Sequence, residues 1–305
     1  MSLLREKYNV QNLQYANPIR VPFSEPPIEG TDPQVYFVSE TSDEAHLSLG
    51  SGNPLPDSKI GSGKVPLVAK KLALRVGFSS ELVEDSIIPV LNIYREQAMR
   101  ALADAIDHVL LNGDTETGSS GNINSDDGAP TSSSPYLAMD GLRKLALAQH
   151  PVDMSNAAPS LTKLREARFD MPTRYAARPT DLAWIVDGNT YARLLAMDEF
   201  LTMDKAGPLA TAQTGQIGYV DGIPVFVSAE MPLTEADGKV GGGTNDRGTA
   251  VCVYRPGWFV GYRRRIAVNV DYLPYYDSYQ LTATVRLAFA SYDNDVAAML
   301  HNVAV

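Results

Sequence analysis

Apolar residues recur at steps of three and four from Leu91 through Tyr94, Ala98, Leu102 and Ile106 to Val109. That spacing follows the turn of an α-helix and gathers all six on one face. Glu96 and Arg100 fall outside this stripe at i,i+4, acid first, the favoured order, and Asp104 and His108 repeat the spacing. The pattern predicts a helix over 89–112, about 36 Å long at 1.5 Å per residue. Pro89 is tolerated in its first turn, where the missing N–H costs nothing, and Gly113 stops it. The segment closes on Leu110-Leu111-Asn112-Gly113-Asp114.

Upstream of this rod the pattern is poor. Prolines at 18, 22, 26, 27 and 33 block helix and interrupt ladders, and only Val35–Val38 suggests a short strand. Tyr8, Leu13, Tyr15, Phe23 and Ile28 are scattered without a period. A disordered tail would be poorer in such residues, so residues 1–45 are expected to be an arm that orders by packing on another subunit. Residues 46–78 suggest a long hairpin, with His46–Leu49 as one edge and Val65–Val76 as the returning strand, alternating most clearly from Leu72. Gly50-Ser51-Gly52-Asn53-Pro54 and Gly61-Ser62-Gly63 supply its turns. Ser79 or Ser80 then caps a short helix.

Downstream the chain mixes helix and strand. A Gly/Ser/Asp loop spans 114–135, and helices are predicted over 136–150, 160–169 and near 189–197. Asp181–Val186 is a buried-strand candidate, and Gln216–Val227 is a hairpin turning at Asp221-Gly222. Strands over 250–254, 258–269 and 279–291 complete the set. No internal repeat or heptad array is present. The class is α+β.

The 305 residues are enough for one large or two small domains, and 44% hydrophobic with 20% charged residues is an ordinary globular balance. MSLLREKYNV carries three charges and no apolar core, so no signal peptide is expected. No apolar run approaches the ~18 residues of a spanning helix. The net charge of −10 argues against a general nucleic-acid binder, which needs a basic footprint. A container wall that repels phosphate remains compatible with it. The single cysteine, Cys252, lies in the apolar run Ala250–Tyr254 and is expected to be a small core residue.

Catalytic patterns are missing. The four histidines, His46, His108, His150 and His301, stand in unrelated contexts and none has a metal-site spacing. Asp293-Asn294-Asp295 lacks the Gly and the distant Glu of a calcium loop, and Asp126-Asp127 reads as a solvated pair. Gly61-Ser62-Gly63-Lys64 fails as a phosphate loop, because Val65 stands where Ser or Thr belongs and Pro66 forbids a helix start. Neither a nucleophile elbow nor a Gly-x-Gly-x-x-Gly cradle occurs. Arg263-Arg264-Arg265 is the one tight basic run. At strand period Arg263 and Arg265 share one face, either solvated or set against acidic loops of a neighbour.

The order of these elements resembles the major capsid protein of tailed double-stranded DNA bacteriophages. Polar arm, long loop, short capped helix, long helix ending in Leu-Leu-x-Gly-Asp and Gly-rich loop follow one another as in that family. Gly222-Ile223-Pro224-Val225 is similar to the family's Gly-x-Pro-Val segment, with Ser228-Ala229-Glu230-Met231-Pro232 after it, and Val285–Tyr292 through Val296-Ala297 resembles its closing strand. The likeness covers about residues 45–305. It implies the HK97-like capsid fold: an N-terminal arm (1–42), an extended loop (43–78), a peripheral domain (79–128 and 255–286) of long spine helix and long β-sheet, and an axial domain (129–254 and 287–305).

The resemblance further implies a structural protein without enzymatic activity or cofactor. Its subunits would form pentamers and hexamers of an icosahedral shell enclosing double-stranded DNA, assembled in the host cytoplasm as part of the virion. Separate scaffolding, portal and decoration proteins are the implied partners, and Lys59, Lys64, Arg263 and Arg265 are the candidate intersubunit contacts. Some members cross-link a loop Lys to an Asn with a Glu nearby. Asp277 and Thr284 stand at the Asn and Glu positions here, so no cross-link is expected, although Lys59 or Lys64 supplies an amine. An encapsulin-type compartment around a cargo enzyme is the alternative on the same fold.

Overall fold

The structure is a computed structural model and describes residues 34–39, 61–85, 90–118, 121–197 and 218–305. The strands are β1 (Gln34–Ser39), β2 (Gly61–Pro66), β3 (Lys70–Ser79), β4 (Pro151–Ala157), β5 (Leu182–Val186), β6 (Tyr219–Val220), β7 (Ile223–Val227), β8 (Arg247–Tyr254), β9 (Trp258–Leu273), β10 (Ser278–Ser291) and β11 (Ala297–Ala304). The helices are α1 (Ser80–Asp85), α2 (Val90–Asn112), α3 (Leu142–Gln149), α4 (Leu161–Asp170), α5 (Thr173–Ala176) and α6 (Gly188–Leu195).

Strands β3, β10 and β9 form an antiparallel sheet in that order. Alternation along β3 and β10 sends Leu72, Leu74, Val76 and Phe78, with Leu281, Ala283, Val285 and Leu287, to one face. Helix α2 covers that face with Ala98, Leu102, Ile106 and Val109, while Leu91 and Tyr94 pack at its start. The stripe legible in the sequence is therefore the buried one. Glu96 and Arg100 pair on the exposed side at 2.5 Å. His108, in contrast, turns from Asp104 to Glu230 (3.2 Å) and Asn112 (3.1 Å).

The second sheet runs β4-β11-β8-β5-β7-β6, parallel at β4–β11 and β5–β7 and antiparallel elsewhere. Its central strands are buried on both faces, as a near-continuous apolar sequence requires. Ala183 and Ile185, Val251 and Val253, Ala297 and Met299 face α3 and join the core beneath α2. Leu182, Trp184, Val186, Ala250, Cys252 and Ala298 face the other way, onto Leu164 and Ala167 of α4 and Leu194 of α6. One core thus runs continuously from the three-stranded sheet into the six-stranded one. Cys252 is fully buried, and burial pushes its thiol up to about 12.

Local chemistry explains most boundaries. Ser160 accepts from Lys163 N at 3.3 Å, Asp187 accepts from Asn189 N and Thr190 N at 2.8 and 2.9 Å, and Ser79 accepts from Leu82 N at 3.3 Å. Asp221 and Gly222 both have positive φ, 51° and 77°, as a two-residue hairpin turn requires.

Two expectations change, and one strand is new. The 46–78 hairpin is divided after Pro66: residues 61–66 pair with β1, and the chain then joins β10 as β3. A proline cannot carry an interior ladder onward, having no N–H to donate. The expected edge His46–Leu49 lies outside the described residues. The helix over 136–150 is a 3₁₀ turn (Pro135–Ala138) followed by α3, broken where Gly141 N donates to Gly113 O at 2.8 Å. Strand β4, which no expectation covered, alternates over only its first four residues, burying Val152 and Met154, and Ser155 and Asn156 sit at positive φ.

Candidate functional site: the elbow of the long helix and a charged sheet face

The long helix ends in a tightly built elbow. Gly113 N donates to Val109 O at 2.9 Å and Asp114 N to Tyr136 O at 2.8 Å. A Cβ on Gly113 would lie 2.2 Å from Met139 O, and one on Gly141 would lie 2.6 Å from Gly113 N. Both contacts are with backbone, so glycine is required at each crossing.

Behind this crossing sits the wholly buried carboxylate of Asp114. It accepts from Glu116 N (2.9 Å) and Ile123 N (2.8 Å) and pairs with Lys144 Nζ (2.7 Å). Lys144 also reaches Asp140 (2.9 Å), which accepts from Thr115 N and Oγ1. Burial works against the Lys144 ammonium, but hydrogen bonds and charge from Asp114 and Asp140 outweigh it and raise its pKa. Burial likewise opposes the Asp140 charge, and bonds from Thr115 and Lys144 overcome it and lower its pKa.

Arg143, wholly buried beside this group, is held at about 10 by burial, with the Asp114 charge acting in the opposite direction. It donates to Asn112 Oδ1 (2.9 Å) and Gly238 O (3.0 Å). Asn112 in turn donates to Glu230 O at 2.7 Å. The end of α2, the loop after it, α3 and the 228–238 segment are therefore locked in one arrangement. The motif Leu-Leu-x-Gly-Asp supplies two core side chains, a steric gap and a buried anchor in sequence.

The opposite face of the three-stranded sheet is polar. Arg263, Arg264 and Arg265 are all exposed on β9, since the ladder to β10 slips twice here, between Thr284 and Arg286 and between Arg286 and Leu287. These bulges break the strict alternation expected of the run. Arg264 is left opposite Arg286, which on its other side is opposite Lys71 of β3, and Arg264 donates to Thr284 Oγ1 at 2.6 Å. Lys71, Arg264 and Arg286 were missed in the sequence as a group because strand register alone brings them together.

Lys64, on β2, pairs through its backbone with Tyr36 of β1, and Lys59 lies outside the described residues. Asp277 sits at positive φ (41°) in the β9–β10 turn, and hydrogen bonds from Tyr272 and Ser80 lower its pKa. Thr284 is the acceptor of Arg264.

Acidic groups noted in the sequence are engaged elsewhere. Asp126 pairs with Lys239 (2.6 Å), Asp127 accepts from Gly242 N, and Asp293 holds Arg174 (2.7 Å) and Tyr175 (2.5 Å). Among the described residues no group of three His, Cys, Asp or Glu is placed to hold a metal ion. No described helix is long and apolar enough to cross a membrane. A cavity of about 510 Å³ between β3, α2 and residues 132–138 has Lys71 as its one titratable lining group, and so offers no acid–base pair.

A long helix laid on one sheet, joined through a rigid elbow to a second mixed sheet, is the architecture of phage capsid subunits. Solved structures share it: Gordonia phage Cozz (TM-score 0.61, 14% identity, 89% of this chain and 81% of that one) and the native GTA particle capsid (0.59, 13%, 88% and 84%). The asymmetric unit of the bacteriophage PhiM1 mature capsid agrees (0.57, 13%, 88% and 80%). The fold is HK97-like. The profile of the phage capsid family matches residues 2–244, and the chain belongs to that family, which is structural and not an enzyme family. The major capsid protein of Escherichia phage T5 is 25% identical over 219 residues, 71% of this chain. The chain spans 43% of that relative's length.

Proposed function

We propose that this chain is a major capsid protein: copies assemble as hexamers and pentamers into the icosahedral shell that encloses the double-stranded DNA of a tailed phage. The single observation that carries the reading is the α2 rod held along its stripe on the three-stranded sheet and locked at its C-terminal end by the Asp114 elbow to Lys144 of α3. Such a subunit transmits a contact at one end to the other as a stiff lever. The hairpin of β1 and β2, with Lys59 and Lys64, and the arginines Arg263 and Arg265 are the surfaces offered to neighbours. Many modest contacts of this kind add up over a closed lattice.

The domain division follows the same logic. On this reading residues 1–42 are the arm and 43–78 the extended loop, the peripheral part (79–128 and 255–286) carries the rod, and the axial part (129–254 and 287–305) meets its copies at the capsomer centre. The −10 charge suits a wall that does not trap phosphate. DNA is held by enclosure, without sequence readout, after assembly in the host cytoplasm with separate scaffolding and portal proteins. No isopeptide cross-link is part of this reading, because Asp277 and Thr284 stand where the cross-linking members carry Asn and Glu. The relatives it matches are phage capsid proteins and capsids, which favours a genome shell over a cargo compartment.

Particles purified from infected cells test this. The chain is expected to co-sediment with nuclease-protected double-stranded DNA. Particles holding a protein cargo and no protected DNA would move the reading to an encapsulin-type compartment.

A further inference from the structure

The turn between β9 and β10 carries the most exposed large hydrophobic side chains among the described residues. Tyr275 is 89% exposed and Tyr276 72%. Their rings meet edge to face at 4.9 Å. The turn beneath them is held by Tyr276 N donating to Leu273 O (3.1 Å) and Tyr272 Oη donating to Asp277 Oδ1 (2.8 Å). Two phenol rings on a braced turn lose little entropy on docking and offer a large contact area. An isolated subunit gains nothing from holding them in water.

A matching recess lies toward the other end of the same sheet. The cavity of about 510 Å³ between β3, α2 and residues 132–138 has an apolar floor of Leu72, Leu74, Leu102 and Leu137. Ser132, Ser133 and Ser134 in its lining supply the hydroxyls that a buried phenol O–H needs. Ala73, Ala101, Ser132 and Ser133 are exposed, so its mouth is open. The turn closes the sheet where Ser278 pairs with Ser79, and the cavity is reached where Val285 pairs with Leu72, seven residues back along β3. That is about 24 Å of antiparallel strand, farther than a tyrosine side chain extends. The tip therefore cannot fill the recess of its own copy.

Charge selects a second copy as the occupant. Residues 266–285 contain Asp271 and Asp277 and no Lys or Arg, and α1, whose Ser80 N donates to Asp277 O, adds Glu81 and Glu84 beside the tip. Lys71 is the cavity's one titratable lining group, with Lys70 before it and Arg286 opposite, while Asp104 on α2 offsets part of this charge. We propose that the Tyr275–Tyr276 tip of one copy seats in the cavity between β3, α2 and residues 132–138 of a second copy. The inference rests on the capsid reading and assigns one of its contacts. A knob and a recess set apart along one sheet make a head-to-tail contact, which repeats from copy to copy and closes into rings or extends into a lattice. The phenol rings supply the buried area, and opposite charges at the rim set the orientation.

Site-directed cross-linking reads the contact. The single native cysteine, Cys252, is fully buried, so introduced thiols react without background. Pro274→Cys marks the tip and keeps both tyrosines, and Ser133→Cys marks the mouth; both positions are exposed. Particles co-assembled from the two variants and treated with a short bis-maleimide are expected to give covalent dimers on a denaturing gel, and particles of either variant alone to give monomers. Absence of dimers from the mixed particles overturns the proposal, as do equal dimers in particles of one variant alone, which would assign the contact to like surfaces. A wild-type chain that forms no particles refutes the capsid reading instead.

Removing the rings measures the weight of the contact. Y275A/Y276A is expected to yield about tenfold fewer particles than wild type by sedimentation. The urea midpoint of its unassembled subunit should be unchanged, because both side chains are exposed. A wild-type yield of particles from this variant overturns the proposal. Should it fail to fold, Ala101→Trp, which blocks the recess from an exposed wall, serves in its place. The same loss is expected from it, and full assembly overturns the proposal.

Discussion

Replacing Asp114 with Asn removes one charge and changes almost no volume, so its effect isolates the electrostatics of the elbow. The carboxylate accepts two backbone N–H groups and the Lys144 ammonium while fully buried. Asparagine keeps one acceptor oxygen and turns an NH₂ toward the other donors, leaving a buried N–H unmatched at about 1–3 kcal/mol. Lys144 is 29% exposed and keeps Asp140, so its loss is worth about 1 kcal/mol. Arg143, wholly buried, loses the charge that opposes its burial cost. The total is about 3 kcal/mol. With a urea slope of about 3 kcal/mol per M, the unfolding midpoint of the unassembled subunit should fall by about 1 M. Trp184 in one core and Trp258 in the other report the transition by fluorescence. Asp114→Asn in a Lys144→Met background should cost less than it does alone, by about 1 kcal/mol. A D114N midpoint within about 0.2 M of wild type, or strict additivity with K144M, would refute the role given to this carboxylate.

Other consequences are open to the same assay. Leu102→Ala, at a position 3% exposed against the sheet, should cost about 2–5 kcal/mol, whereas Ile93→Ala, 46% exposed on the same helix, should stay within about 0.5 kcal/mol; equal effects would contradict the stripe. Cys252 should resist a thiol reagent in the folded subunit and react at once in denaturant, and rapid labelling of the native chain would contradict its burial. Asp140, Asp221 and Asp293 have pKa values lowered below 3.8: a bond from Arg165 acts on Asp221, and at the other two, bonds to neighbours overcome burial. Their stabilisation is present above that value and is lost as pH falls through the folded-state values. The urea midpoint should therefore drop below about pH 4, and a midpoint unchanged at pH 3 would contradict the assignment.

The rod was legible because its period, its stop at Gly113 and its paired Glu96 and Arg100 are local signals. The Asp-Gly hairpin and the Ser160 cap were legible for the same reason. What escaped depends on contacts distant in sequence. Nothing near Gly141 announces that Gly113 crosses it, so a continuous helix over 136–150 was the natural expectation. Strand β4 is held by its parallel pairing with β11, and its own polar sequence conceals it. The Arg263–Arg265 run was visible, but its partners Arg286 and Lys71 are set by a register that two slips displace. Propensity and period describe a segment, whereas pairing belongs to the folded chain.

The central claim, that this rigid subunit builds a closed shell through its neighbours, is tested most directly by cryo-electron microscopy of the protein expressed with its scaffold. The account predicts icosahedral particles of fivefold and sixfold clusters, with α2 of each copy running as a straight rod of about 35 Å within the wall. Monomers or small closed rings alone, under every assembly condition, would contradict it.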